Sequence, residues 1–335
     1  MLDSRTWRVN AVSVAMAVAL LLVGRSPSSL AENYPSSVGK VKEYAIPQTD
    51  SDPTGVVAGP DGAVWFTEQG KDRIGRITND GTFTFFHIGM RHANPAFIAV
   101  GSDANLWFTE DPFNADGKIA RMTLSGKITQ FTPPSGAEPE VITPGPNGNL
   151  WFTDYGLNAV GRITPRGAIK EFPVPPGSQA VDLTEGPDGN LWFTEGTSAK
   201  IGVMNVSGKL LHEYPVPGYF PDPIGIVAGP DGNLWFTDPS ANGTLIGRIS
   251  LDGHLKQFPL PQFGFISQIT VGVDGHLWFT DGGLDHIGRM SLRGNVQSFS
   301  LQYNAAPCCI TLGPNGNLWF SEQFANAIGR ITDKP

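Results

Sequence analysis

The sequence predicts an all-β fold, a seven-bladed β-propeller whose ring is closed by the N-terminal strand, and three observations carry that prediction. First, Trp65, Trp107, Trp151, Trp192, Trp235, Trp278 and Trp319 each stand in a Val/Leu-Trp-Phe-Thr/Ser-acid string, at spacings of 42, 44, 41, 43, 43 and 41 residues. Second, each unit holds four short apolar runs bounded by Gly, Pro, Asn or Asp. In the fifth they are Ile226-Val227-Ala228, Leu234 to Thr237, Ile246 to Ile249 and Leu255 to Phe258, named strands A to D. Four antiparallel strands in forty-odd residues is the signature of a propeller blade. Third, the last unit stops after strand C at Ile331-Thr332-Asp333, while Gly39 to Pro47 reads as a strand D with nothing before it. Pairing the two completes blade seven and leaves no open edge at the seam.

Residues 1–31 are read as a signal peptide and 32–335 as the propeller. Arg5 and Arg8 precede an uncharged run from Ala11 to Val23, too short at 13 residues to span a hydrocarbon core of roughly 30 Å. Ser29-Leu30-Ala31 then offers small residues where a signal peptidase reads, placing cleavage before Glu32. The expectation is a secreted or periplasmic monomer without a transmembrane segment after cleavage. Removing Asp3, Arg5, Arg8 and Arg25 leaves 20 basic and 30 acidic residues, which argues against nucleic acid or anionic lipid as partner. The 41 glycines and 28 prolines recur on the repeat's schedule, so they mark turns rather than disorder. The only cysteines, Cys308 and Cys309, are neighbours, and no disulfide framework staples the fold.

Topology selects the surface that would carry function. In an up-and-down blade the A–B and C–D turns lie on one face, and the B–C loops and D–A connections on the other. The second set varies between repeats, which favours it as the binding face. Each strand B ends there in a carboxylate: Glu68, Glu110, Asp154, Glu195, Asp238, Asp281 and Glu322. Seven symmetric acids would line a cation-attracting funnel; alternatively each ties down its own B–C loop. Phe113, Tyr155, Tyr219, Phe220, Phe263, Phe265, Tyr303 and Phe324 map to the same face, and rings over an acidic funnel suit a small-molecule or peptide ligand with aromatic groups. Only His92 and His286 fall there, on distant blades, so a two-histidine catalytic pair is not expected. Cys308-Cys309 opens strand A of blade seven, as a vicinal disulfide or as packed thiols. The strand C arginines (Arg76, Arg121, Arg162, Arg248, Arg289, Arg330) read as scaffold, partners of acids in adjacent blades.

The unit Gly-Pro-Asp/Asn-Gly-Asn-Leu-Trp-Phe-Thr-Glu/Asp, followed by Ile-Gly-Arg-Ile-Thr and a strand ending in Glu-Phe/Tyr-x-x-Pro, closely resembles the streptogramin B (virginiamycin B) lyases over nearly all the mature chain. The resemblance implies a seven-bladed propeller and a magnesium-assisted β-elimination that opens cyclic depsipeptides: a metal-held carbonyl acidifies the α-proton, a histidine removes it, and the ester oxygen leaves. The family's catalytic residues do not carry over. Where its last blade opens with Glu-Pro-His-Gly, this chain has Ala306-Pro307-Cys308-Cys309; where the preceding blade offers Pro-His-Ala, it has Ile266-Ser267-Gln268. Glu322 aligns with the second metal carboxylate across a one-residue gap. Glu138-Pro139-Glu140 sets a carboxylate at the base's depth, but on blade three. Cys308 and Glu140 are therefore the remaining catalytic candidates and Glu322 the remaining magnesium ligand. Two functions are open: an exported propeller that binds a small molecule or peptide, or a carbon–oxygen lyase with substituted residues.

Overall fold

The computed structural model describes residues 38–111, 116–240 and 243–333. It is a ring of seven four-stranded antiparallel sheets, each in the order A-B-C-D. In blade one the strands are Pro53–Ala58, Val64–Glu68, Arg73–Ile77 and Phe83–His87. Strands A of neighbouring blades contact one another around the central axis, so strand A is innermost and strand D faces outward. Blade seven takes its strands A to C from Pro307–Leu312, Leu318–Glu322 and Ala327–Ile331, and its strand D from Val41–Ala45. Val41 pairs with Ile331 and Ala45 with Ala327, which is the closure the sequence predicts. The leader, Glu32 and Phe113 lie outside the described residues.

Each blade is built on one aromatic pair. The strand B tryptophan, fully buried, stacks on an aromatic of strand D in its own blade: Trp65 on Phe86, Trp107 on Phe131, Trp151 on Phe172, Trp192 on Tyr214, Trp235 on Phe258 and Trp278 on Phe299. Trp319 has no such residue downstream, and Tyr44 of the closing strand supplies it at 5.6 Å. Strand C passes between the two, with Ile-Gly-Arg in blades one, five, six and seven. Its glycine leaves room for the strand B phenylalanine, since a Cβ on Gly75 would stand 2.1 Å from the Phe66 ring.

The strand C arginine lies over the tryptophan in six blades, with Val203 in its place in blade four. Its carboxylate partner belongs to its own blade, not to the next: Arg76 meets Asp61 at 2.7 Å, and Arg121, Arg248 and Arg289 meet Asp103, Asp231 and Asp274. Toward the next blade it donates to a backbone carbonyl, as Arg121 does to Pro165 and Arg330 to Asn79. The turn aspartate also accepts the indole N–H of Trp65, Trp107, Trp192 and Trp235 at 3.0–3.1 Å. Asn147 and Asn315 replace it in blades three and seven, adopt positive φ, and leave the Trp151 and Trp319 indoles without an acceptor.

A second repeated device joins blade to blade. Strand A carries an irregularity after its first residue in six blades, so that two residues bulge between paired positions; in blade five the residues aligned with these are Ile224 and Gly225. The hydroxyl of the strand B Thr or Ser accepts the N–H of the second of these residues in its own blade, from Gly55, Phe97, Val141, Asp182, Gly225, Gln268 and Cys309, at 2.8–3.3 Å. It donates its proton to the carbonyl of the first in the next blade: Ala96, Glu140, Val181, Ile224, Ser267, Cys308 and, across the seam, Thr54, at 2.6–3.2 Å. All seven hydroxyls do both, forming one buried circle.

If Val41–Ala45 closes the ring, removing residues 32–47 exposes the edge of strand C in blade seven and uncovers Trp319. Thermal melting is expected at a lower temperature with aggregation, and Tyr44→Ala alone should cost about 3 kcal/mol. Unchanged melting of both variants would contradict the closure.

Candidate functional site

The bulges fix where side chains near the axis point. Residues at their second position line a cavity of about 200 Å³ in the central channel: Gly55, Phe97, Val141, Asp182, Gln268 and Cys309 are among its walls. Residues at the first position, including Glu140, Ser267 and Cys308, are buried between blades. Val181 and Ile224, also at the first position, pack with Phe265 and Ala306 into an apolar cluster drawn from blades four to seven.

The seven strand B carboxylates do not line an open funnel. Glu68, Glu110, Asp154, Glu195, Asp238, Asp281 and Glu322 are all buried, each bonded within its blade and its adjoining loops. The division of labour follows side-chain length. The aspartates reach loop amides: Asp154 accepts from Glu138 and Leu157, Asp238 from Asp222 and Ser240, Asp281 from Gly264 and Gly283. The glutamates reach side chains: Glu68 pairs with Arg73 at 2.8 Å, Glu110 accepts from Gln130, Glu195 from Ser198 and Glu322 from Gln302. Burial raises the pKa of all seven, that of Asp281 to about 6 and of Glu322 to about 7.

The aromatics divide in two. Tyr155, Tyr219, Phe220, Tyr303 and Phe324 are the exposed aromatic side chains among the described residues, and every one is on the loop face; Tyr219, Phe220 and Tyr303 are 70, 72 and 95% exposed. Tyr219 and Phe220 meet edge to face at 4.4 Å. Phe265 and Phe263 are buried instead. Phe265 belongs to the four-blade apolar cluster, and Phe263 packs on Phe279 in the core of blade six, so neither presents a ring to a ligand.

The catalytic candidates are held in place. Ser267 donates its hydroxyl to the Cys308 carbonyl at 3.0 Å and lies 2.9 Å from the Thr280 hydroxyl, inside the buried circle. Cys308 and Cys309 are free thiols with sulfurs 3.2 Å apart. The Cys309 thiol is pushed well up by its hydrogen bond to Cys308 and by burial, which keeps it from acting as a thiolate. His286 is half-buried and burial lowers its pKa. Glu140 is buried with one carboxyl oxygen unpartnered, and burial, then the charges of Asp111, Asp182 and Glu138, raise its pKa to about 7.

Asp182 was not singled out in the sequence. It is the carboxylate in the channel wall, accepting from the amides of Ile226 at 3.0 Å and Leu183 at 2.8 Å and from the Gln268 amide at 3.4 Å. Its signal was a lone acid, in Val181-Asp182-Leu183, at a position other blades fill with Gly, Phe, Val, Gln or Cys.

The model of the virginiamycin B lyase family matches residues 35–181 and 175–334. The chain belongs to the virginiamycin B lyase family. Among solved structures it is 34% identical to a streptogramin B lyase, at a TM-score of 0.80, covering 88% of this chain and 97% of that one. Virginiamycin B lyase from Staphylococcus aureus matches at the same identity and TM-score, over 88% of this chain and 99% of that one. A catalytically inactive histidine-to-alanine variant of the S. aureus enzyme, solved with quinupristin, matches with a TM-score of 0.81 at 34% identity over the same shares.

The family resemblance implies magnesium, and the residues present do not fit it. The position of one ligand is Ala306, in an apolar cluster; the other, Glu322, is buried against Gln302. No group of three or more His, Cys, Asp or Glu among the described residues is arranged to hold a metal.

Asp182 makes a testable claim on stability. Burial raises its pKa from 3.8 to about 6, so its proton is retained longer in the fold than in the unfolded chain. The stability this contributes is full below pH 3.8 and is lost as the pH rises to about 6. Glu140 adds the same sign up to about 7. The melting temperature is expected to fall between pH 5 and about 7, and Asp182→Asn to flatten that slope. An equal slope in the variant would remove Asp182 from the account.

Proposed function

We propose that this member of the family is an exported, monomeric binding protein whose loop face takes an amphipathic small molecule or peptide bearing aromatic groups, and that it does not perform the β-elimination. One observation carries the reading: the three positions that hold the family's base, second histidine and metal carboxylate are Cys308, Ser267 and Ala306, of which Cys308 is buried with its thiol against Cys309, Ser267 is bonded through its hydroxyl into the interblade circle and Ala306 is packed with Phe265. A proton cannot be taken from a substrate by groups shut between blades. Scaffold likeness at 34% identity supports the fold and not the chemistry. The exposed loop-face aromatics support ligand binding, and the signal-like leader supports export.

A second reading has one observation of its own. Glu140, with one carboxyl oxygen unpartnered and its pKa raised to about 7, has the proton affinity of a general base at neutral pH, and a lyase rebuilt around it would use blade three and need this buried carboxylate to open toward the substrate.

Incubation with a streptogramin B depsipeptide and magnesium, followed by chromatography and mass spectrometry, separates the two, since β-elimination leaves the mass unchanged and alters retention and fragmentation. The expected result is no linear product, at least about 10²-fold below a family member with both histidines, because general-base catalysis contributes about that much or more. Turnover lost on Glu140→Gln, Cys308→Ala or Glu322→Gln would make the protein a lyase. The binding face is checked by a thermal-shift screen of aromatic-bearing peptides: a hit that survives Tyr219→Ser, Tyr303→Ser and Phe324→Ser together contradicts it.

A further inference from the structure

The repeat allows a comparison at every position: strand C opens with a cation in blades one, two and four, Arg73, Lys118 and Lys200, and with Ala159, Leu245, His286 and Ala327 in the others. In blade four, Glu195 at the end of strand B stands opposite Lys200, the first residue of strand C, and Glu213 of strand D lies opposite Gly202 two residues on. The Lys200 ammonium sits between the two acids, 2.8 Å from Glu213 and in the field of Glu195. Blade one puts Arg73 at the same place against Glu68, and blade two puts Lys118 opposite Glu110.

Blades three and seven keep the two acids and lack the cation; in blade seven Gln302 donates to both Glu43 and Glu322, whereas blade three has no such shared donor among the described residues. Asp154 stands opposite Ala159, and Glu171 opposite Gly161. Asp154 is fully buried; its first oxygen accepts the loop amides of Glu138 and Leu157, while its second has no partner. Both oxygens of Glu171 are buried and unpartnered. Three buried carboxylate oxygens without a donor are costly in a native fold and call for an occupant.

We propose that Asp154 and Glu171 hold a divalent cation of the calcium class where blade four holds the ammonium of Lys200. The donors are all oxygen, which selects a hard ion, and one divalent charge neutralises two carboxylates. Two carboxylates do not make a full cage, so water completes the shell and the affinity falls in the weak range of extracellular calcium modules, about 10⁻⁴–10⁻³ M. This site is distinct from the Ala306 and Glu322 positions of blade seven. Glu171's raised pKa, about 8, from burial first and then the charge of Asp154, is the expected state of the pair without its cation.

The test is thermal melting of the mature protein in EDTA and in about 10 mM calcium, which is expected to raise Tm by about 2–4 °C. Ala159→Lys supplies the missing ammonium; it should raise Tm in EDTA and abolish the calcium response. Glu171→Gln, which needs no new volume, should abolish the response as well, while Glu185→Gln, at an exposed acid, should retain it. No calcium shift in the unsubstituted protein, or a shift that persists in both Ala159→Lys and Glu171→Gln, overturns the proposal and leaves the pair sharing a proton.

Discussion

Seven buried hydroxyls, one at the end of each Trp-Phe-Thr/Ser string, set the spacing of everything else in the ring. Each accepts an amide from its own strand A and donates to a carbonyl of the next, so no blade can rotate or slide without breaking bonds on both sides. Bulged strand A residues cannot pair in their own sheet, and a buried unpaired amide or carbonyl costs about 1–3 kcal/mol. The hydroxyls satisfy both groups at once. The strand B tryptophans hold each blade together internally; the hydroxyls hold the blades to one another. Ser321 extends the circle to Thr54 as Tyr44 extends the aromatic pairs to Trp319, so the seam carries the same two interactions as every other junction.

That constraint also shapes the functional surface. Side chains at the bulge stand either between blades or in the channel wall, and the positions at which the family places its histidines are among them. A residue there can serve chemistry only if it projects out of the circle. Ser267 instead joins it through its hydroxyl, Cys308 is buried with its thiol against Cys309, and Ala306 contributes to an apolar cluster with Ile224 and Phe265. The scaffold of the family is kept, and Ser267, Cys308 and Ala306 are all buried within it. Five aromatic rings are exposed on the loop face.

The architecture was legible because it repeats. Trp, Phe, Gly and the turn residues recur at each unit, and periodicity exposes what a single segment would hide. The absent strand D and its displaced copy at Val41–Ala45 followed from the same register. The site was less legible because burial is a property of neighbours far apart in sequence. Phe265 resembles Tyr219 by its place in a loop, yet packs with Ala306 and Ile224; the strand B acids resemble a funnel, yet each is consumed within its own blade and adjoining loops. Asp182 breaks the repeat only once, and nothing local marks its partner, Gln268, 86 residues away. The repeated Thr was visible and its role was not, since one of its two bonds always goes to a different blade.

The hydroxyl circle is the claim on which the rest stands, and Thr237 tests it at an ordinary junction away from the seam. Urea unfolding of Thr237→Val and Thr237→Ser separates the hydroxyl from the shape around it. Valine matches the volume and strands the Gly225 amide and the Ser267 carbonyl, so a loss of about 2–4 kcal/mol is expected, whereas serine keeps both bonds and should stay within about 1 kcal/mol of the unsubstituted protein. A valine variant as stable as the serine variant would show that packing alone sets the ring.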